Sequence, residues 1–309
     1  MRTENGIHTF SLVCRSSYTE IQNIVGAVPC VTKADKYHLN ISRKILKFKS
    51  TGVEIHLYQS LVHPSWIKLI VNPSSLLADG YCPTELFCEP DEISDVKKRL
   101  REILDKCGID CRLKKFKLSR CDLTRNQYYD SKKELSSQLD RFRKSYVMPR
   151  YKVDADEQFW TIFCKSCEFS AYNKSYELDT RHDILIDHNI LRLELRLERK
   201  RIRQVVKKQD WEDALAGLCK RGDTLLDRFI HRLYQDFEDV VTKETALEKI
   251  EKSSFREKTK KSLCKIVNLA NACTSLNTVQ KKMRLKSKDF KRLLNKFYKL
   301  GIHPVTNSR

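Results

Sequence analysis

No stretch of this 309-residue chain approaches the roughly 20 consecutive apolar residues that a membrane-crossing helix requires. The opening Met1-Arg-Thr-Glu-Asn-Gly also lacks the apolar core of a secretory signal, so a cytosolic location and no membrane partner are expected. The 12 cysteines are scattered rather than arranged as a framework, which points to reduced thiols. Cys164-x-x-Cys167 and Cys107-x-x-x-Cys111 come close together, yet no Cys/His set at conventional spacing completes either pair into a zinc site.

Negative charge is scarce where it would matter most. The chain carries a formal net charge of +20, which implies a polyanionic partner, and nucleic acid suits a chain without a membrane segment. Residues 201–250 are balanced at 10 basic and 10 acidic side chains, whereas residues 251–309 carry 16 basic against 3 acidic, a net of +13. An apolar content of 40% is enough for a core in one large or two medium domains.

Periodicity divides the chain in two. Up to Arg203, period-two runs alternate with helical stripes. Thr9 to Cys14 reads as a first strand, Tyr18 to Val25 as a short helix, and Val53 to Tyr58 with Trp66 to Val71 as a hairpin turned at His63-Pro64-Ser65. Pro90-Asp-Glu opens a helix with Val96, Leu100, Ile103 and Leu104 on one stripe and Gly108 as its stop. Cys111 to Leu123 reads as a strand, Ser131 to Tyr146 as a basic amphipathic helix, and Trp160 to Cys164 with Glu168 to Tyr172 as strand. After Arg203 only helical spacing remains, over 211–218, 224–241 and 255–273, with Gly222-Asp223 and Gly301 as breaks. The expected fold is therefore α+β, a mostly antiparallel central sheet with flanking helices (1–203), followed by a helical basic region (204–309).

Within that region, Thr278 to Met283, a turn around Lys286-Ser287, and Asp289 to Leu300 fit a helix-turn-helix. Its second helix turns Phe290, Leu293, Leu294 and Phe297 inward and presents Lys288, Lys291, Arg292, Lys296 and Lys299 as DNA-binding candidates. The plainer alternative is a solvated lysine-rich helix capping the core.

Three short segments carry chemistry. In Leu191-Arg192-Leu-Glu194-Leu-Arg196-Leu the leucines alternate with charges, so Glu194 lies on a polar strand face bracketed by two arginines, groups suited to phosphate oxygens. Upstream, Ser119-Arg120-Cys-Asp122-Leu places Arg120 and Asp122 on one face of a strand. Between them lies Tyr172-Asn173-Lys174-Ser-Tyr176-Glu177, in which Ser170, Tyr172 and Lys174 are expected on one side. A cation beside a tyrosine favours the phenolate, a nucleophile toward phosphorus. Read alone, Tyr172 is an ordinary strand aromatic and Asp122 a hydrogen-bonded structural acid.

In their order, these segments resemble rolling-circle replication initiators of the plasmid and phage Rep-trans type. That family has an Arg-φ-Asp-φ strand, a Tyr-Asn/Asp-Lys-x-x-Glu segment and an Arg-φ-Glu-φ-Arg strand, φ being apolar. The resemblance covers about residues 115–200 and implies a site-specific DNA nickase and ligase of a bacterial cytosol. Tyr172 would attack the scissile phosphate, forming a 5′-phosphotyrosyl link and freeing a 3′-hydroxyl. Lys174, Arg192 and Arg196 would neutralise phosphate charge, Arg120 would contact DNA, and Asp122, Glu194 and Glu177 would hold Mg²⁺ or Mn²⁺, which favour hard oxygen ligands. Implied partners are double-stranded origin DNA with an exposed single strand at the nick, a host helicase and polymerase, and a second copy of the chain.

A second large class of such nickases binds its metal through a His-φ-His triplet. None of the 8 histidines forms one. Where the Rep-trans pattern has a second acid after the Asp122 strand, this chain has Arg125-Asn126, with Asp130 as the nearest substitute. Tyr176 is a rival nucleophile. Relaxases of conjugative elements share these motifs, and a DNA-binding regulator without catalysis would need only the basic helices.

Overall fold

The computed structural model describes residues 2–27, 31–34, 41–48, 51–61, 63–78, 80–109, 113–208, 210–233 and 241–306. Its sheet has ten strands in the order β2 (Val31–Ala34), β3 (Ile41–Phe48), β4 (Val53–Ser60), β5 (Ser65–Val71), β1 (Arg2–Ser16), β6 (Lys117–Tyr129), β10 (Asn189–Glu198), β9 (Cys167–Asn173), β8 (Phe159–Phe163), β7 (Lys152–Ala155). The fold is the expected α+β arrangement on an antiparallel sheet, with helices gathered toward the C-terminus.

Helices are α1 (Tyr18–Ala27), α2 (Pro73–Leu77), α3 (Ile93–Lys106), α4 (Lys132–Lys144), α5 (Lys174–His182) and α6 (Arg199–Val206). They are followed by α7 (Trp211–Arg232), α8 (Lys243–Glu251), α9 (Glu257–Ala272), α10 (Leu276–Lys282) and α11 (Ser287–Lys299). No described helix is long and apolar enough to cross a membrane.

The chain forms two compact units that interleave along the sequence. Unit 1 takes residues 1–127, 165–169 and 193–224; unit 2 takes 128–164, 170–192 and 225–309.

In unit 1 the expected hairpin is β4–β5, with Val53 opposite Val71 and Tyr58 opposite Trp66. β5 also pairs with β1, Phe10 opposite Val71 and Ser16 opposite Ser65. The alternation buries Ile55, Leu57, Ile67, Leu69, Val71, Phe10 and Leu12 completely. Trp211 at the start of α7 stacks on Phe10, ring centroids 6.2 Å apart. Burying each such side chain contributes roughly 2–3 kcal/mol. Lys97 of α3 reaches Glu212 of α7 at 2.7 Å. α3 stops where Gly108 takes φ +64, a conformation open to glycine.

Three expectations need correction here. The strand at Thr9 to Cys14 is longer, running from Arg2 to Ser16. The strand at Cys111 to Leu123 starts only at Lys117, after a 3-10 turn at Leu113–Lys115; Cys111 itself lies outside the described residues. Gly222 does not break a helix. It sits inside α7, where a Cβ would come within 3.3 Å of Leu123 Cδ2, so the missing side chain serves close helix–sheet approach. The helical spacing expected over 224–241 runs to Arg232 in α7, and its continuation at 234–240 lies outside the described residues.

In unit 2, Ser131 caps α4 by accepting from Glu134 N at 3.2 Å. Its later helices close over a core of Ala246, Ile250, Leu263, Ile266, Val267, Phe290, Leu294 and Phe297, together with Tyr146 from the α4 end. Tyr146 bonds Ser287 at 2.5 Å and packs on Phe290 at 5.5 Å, while Val147 exchanges backbone hydrogen bonds with the Asn277 side chain at 2.8 Å each way. The ten described cysteines are free thiols.

Candidate active site

Unit 1 gathers a charged network on the middle strands of the sheet. Asp122 of β6 is almost fully buried, with 1% of its side chain exposed, and two guanidiniums hold it. Arg120, two residues back on the same face, donates from Nε to Oδ1 at 2.9 Å and from Nη2 to Oδ2. Arg196 of β10 donates from Nε to the same Oδ1 at 3.1 Å and from Nη1 to Glu168 Oε1 of β9 at 2.8 Å. Glu194 Oε1 lies 3.0 Å from His8 Nδ1 on β1, and Thr9 Oγ1 lies 3.3 Å from the same nitrogen.

Electrostatics tie the group together. Lys68 of β5 is held below its ordinary pKa by burial first and then by the Arg120 cation, with Arg196 adding to this and Glu198 and Asp122 opposing it. For Arg120, burial works to lower the pKa, but the hydrogen bonds and charge of Asp122, with Glu194 and Glu198, outweigh it and raise it. Three fixed cations, Lys68, Arg120 and Arg196, thus face four carboxylates, Asp122, Glu168, Glu194 and Glu198. The centre holds one more acid than cations, and its guanidiniums must loosen from their acids before they can grip a phosphate.

Unit 2 holds the tyrosine segment. Tyr172 is half-buried near the end of β9. Asn173 then turns the chain, its side chain accepting from Tyr176 N at 3.0 Å as the N-cap of α5 and donating to Gln158 Oε1 at 3.0 Å. Lys174 is therefore the first helical residue and not a strand neighbour of Tyr172, which corrects the expectation that Ser170, Tyr172 and Lys174 share one strand face. Lys174 is buried and donates to Glu177 Oε2 at 2.6 Å, one turn on; Arg181 stands 4.0 Å from the other oxygen. Tyr176 is 48% exposed. Asn, Lys and Glu at this spacing thus have a structural explanation, a capped and charge-stitched helix start behind Tyr172.

The remaining sequence candidates fall as follows. Arg192 is fully buried in the unit 2 part of β10, while Glu194 and Arg196 belong to unit 1. Arg125 and Asn126, which stand where the Rep-trans pattern has an acid, donate to Asn5 Oδ1 at 2.6 Å and to Thr84 O at 2.7 Å. Asp130 is exposed just beyond β6. On α11, Lys288, Arg292 and Lys299 are exposed, whereas Lys291 and Lys296 lie over the Tyr146 and Phe255 rings at 5.9 and 4.4 Å. His8, Lys68 and Glu168 were missed in the sequence. Glu168 and Lys68 are period-two charges inside apolar strands, a signal that was available; His8 has no local signal.

Of the expected metal ligands, Asp122 and Glu194 belong to unit 1 and Glu177 to unit 2. Both oxygens of Asp122 are taken by guanidiniums and Glu177 by Lys174, so of the three only Glu194 has a partner, His8, that is itself a ligand type. No cluster of three His, Cys, Asp or Glu able to hold an ion occurs among the described residues.

No protein-family model matches the chain, and no curated protein matches it. Among solved structures it is similar to the rolling circle replication initiator protein from Geobacillus stearothermophilus. The two share 10% identity over 84% of this chain and 91% of that one, with a TM-score of 0.35. That is too loose a superposition to transfer residues or activity.

Proposed function

We propose that the protein is a site-specific single-strand DNA nickase and strand transferase that initiates rolling-circle replication. The observation that carries this reading is the meeting of Asp122 with Arg196, 74 residues apart in sequence, at 3.1 Å. These residues come from two of the three resembling segments, and both are charged groups placed within the sheet, where an ionic group not needed for function would be costly.

In this reading the Tyr172 oxygen attacks the scissile phosphorus as its proton is lost. A new O–P bond forms while the P–O3′ bond breaks, leaving a 5′-phosphotyrosyl link and a 3′-hydroxyl that takes up a proton. The covalent bond conserves the energy of the broken diester for rejoining. Arg120 and Arg196, both partly exposed, are the guanidiniums of unit 1 suited to phosphate oxygens once they loosen from Asp122. Lys174 acts as a positioning residue, fixing the start of α5 behind Tyr172. The resemblance implies Mg²⁺ or Mn²⁺.

The test is cleavage of supercoiled DNA from the protein's own genetic element, assayed with each divalent ion and with chelator. The expected result is an open-circular product with protein attached to its 5′ end, absent for Tyr172→Phe while DNA binding persists. Double-strand cleavage, or nicking without attached protein, would overturn the reading.

A further inference from the structure

Outside the acid-paired centre, unit 1 has a second basic feature that none of the three resembling segments contains. Two adjoining cavities of about 430 and 710 Å³ share Lys117 and Arg199 in their walls. The smaller adds Arg203 on α6 with Lys207 and Lys208 just beyond it, over a floor of Leu118 and Ile202. The larger adds Arg15, Lys115 and the Trp66 ring. Asp210 is the acid lining the smaller cavity, and it is engaged as a helix cap, accepting from Glu212 N at 2.9 Å. Lys208 is shared with the exposed Asp213 at 3.8 Å.

Here Arg203 and Arg15 press their charge on Arg199. Arg199 is held below its ordinary pKa by burial and then by the charges of Arg203 and Arg15. Arg15, Lys115, Arg199 and Arg203 are all exposed and open to a ligand from solution. The Trp66 ring lies nearly parallel to Tyr58, 4.9 Å away at 20°, which fixes it as a rigid plate in the groove wall.

We infer that this groove binds a single-stranded nucleic-acid segment, its phosphates on the cations of α6 and of the Lys115–Lys117 stretch and one base stacked on Trp66. Two adjoining cavities with spread cations suit a chain of phosphates rather than a lone anion. An aromatic plate suits an unpaired base, which a duplex cannot offer. The inference rests on the nickase reading for its role, holding the strand near the nick, but its test requires no cleavage.

The test uses the full chain, chelator and a fluorescent oligothymidylate of roughly 12 nucleotides, within the site sizes of single-strand binders. Arg199→Gln with Arg203→Gln should weaken binding at least about tenfold. It should also flatten the log–log salt slope by roughly 1.4, about 0.7 for each lost single-strand contact. Trp66→Leu should weaken it about tenfold and abolish the tryptophan quenching that accompanies binding, with an unchanged melting temperature as the folding check. Lys288→Gln with Arg292→Gln, on α11, should leave it within about twofold, since their contribution is to duplex binding. Equal losses from the α6 and α11 pairs would overturn the inference in favour of diffuse attraction. Equal competition by polyglutamate would overturn it in favour of an acidic protein partner. Loss of oligonucleotide binding in the α6 variant with an intact Tyr172 adduct on a preformed hairpin would support the groove, whereas Tyr172→Phe failing to abolish nicking would touch only the nickase reading.

Discussion

The middle strands of unit 1 and the C-terminal helices of unit 2 are both rich in cations, and they use them in opposite ways. Arg120 and Arg196 turn toward the nearly buried Asp122 and are spent on holding it. On α11 the apolar side, Phe290, Leu294 and Phe297, is at most 1% exposed, and Lys288, Arg292 and Lys299 face solvent. The net charge of +20 is therefore not one property. Where the middle strands set cations against acids, residues 251–309 alone carry a net of +13.

The contrast can be broken by exchanging acids. Asp122→Ala leaves two guanidiniums without their carboxylate and should cost about 3 kcal/mol in denaturant unfolding, at the lower end for a broken buried pair because both arginines are partly exposed. Asp289→Ala removes an acid from Arg292 at 3.3 Å on the exposed face of α11 and should cost less than about 0.5 kcal/mol. Similar costs would mean that Asp122 is not the keystone of its network.

The inner face of α11 sharpens the same point. Phe290→Ala opens a cavity against Tyr146 and should cost about 3–4 kcal/mol, unfolding unit 2 at lower denaturant. Lys288→Gln and Arg292→Gln should leave stability unchanged while reducing the log–log salt slope of duplex binding by about 0.9 each. Lys291→Gln should flatten that slope less, since its ammonium is partly engaged by the Tyr146 ring. A smaller difference should separate Glu194→Gln from wild type. The change keeps a hydrogen-bonding oxygen for His8 at 3.0 Å, so stability should move by less than about 1 kcal/mol, read by thermal melting.

Much of this was legible because local period and burial agree. Leu191, Leu193, Leu195 and Leu197 alternate in the sequence and are all buried in β10, and the stripe of Val96, Leu100, Ile103 and Leu104 is the buried face of α3. Ser131 and Gly108 punctuate the chain as their chemistry requires. What was not legible depends on partners far away in sequence. Gly222 reads as a helix breaker until Leu123 is seen pressed against it. His8 has no motif and gains meaning only beside Glu194, 186 residues on. Interleaving is hidden for the same reason: β9 and β10 each contribute to both units, and no local composition marks such a division. Tyr172-Asn-Lys-x-x-Glu was legible as a pattern, but the cap made by Asn173 and the Lys174–Glu177 pair were not.

The most direct measurement is the identity of the residue that carries DNA after cleavage. The protein is trapped on its nicked substrate, digested with nuclease and protease, and the nucleotide-bearing peptide is sequenced by mass spectrometry. The account predicts a single adduct on the Tyr172 oxygen, within the peptide that runs into Asn173-Lys174. An adduct on the exposed Tyr176, on another residue, or none under conditions where the DNA is cut would contradict it.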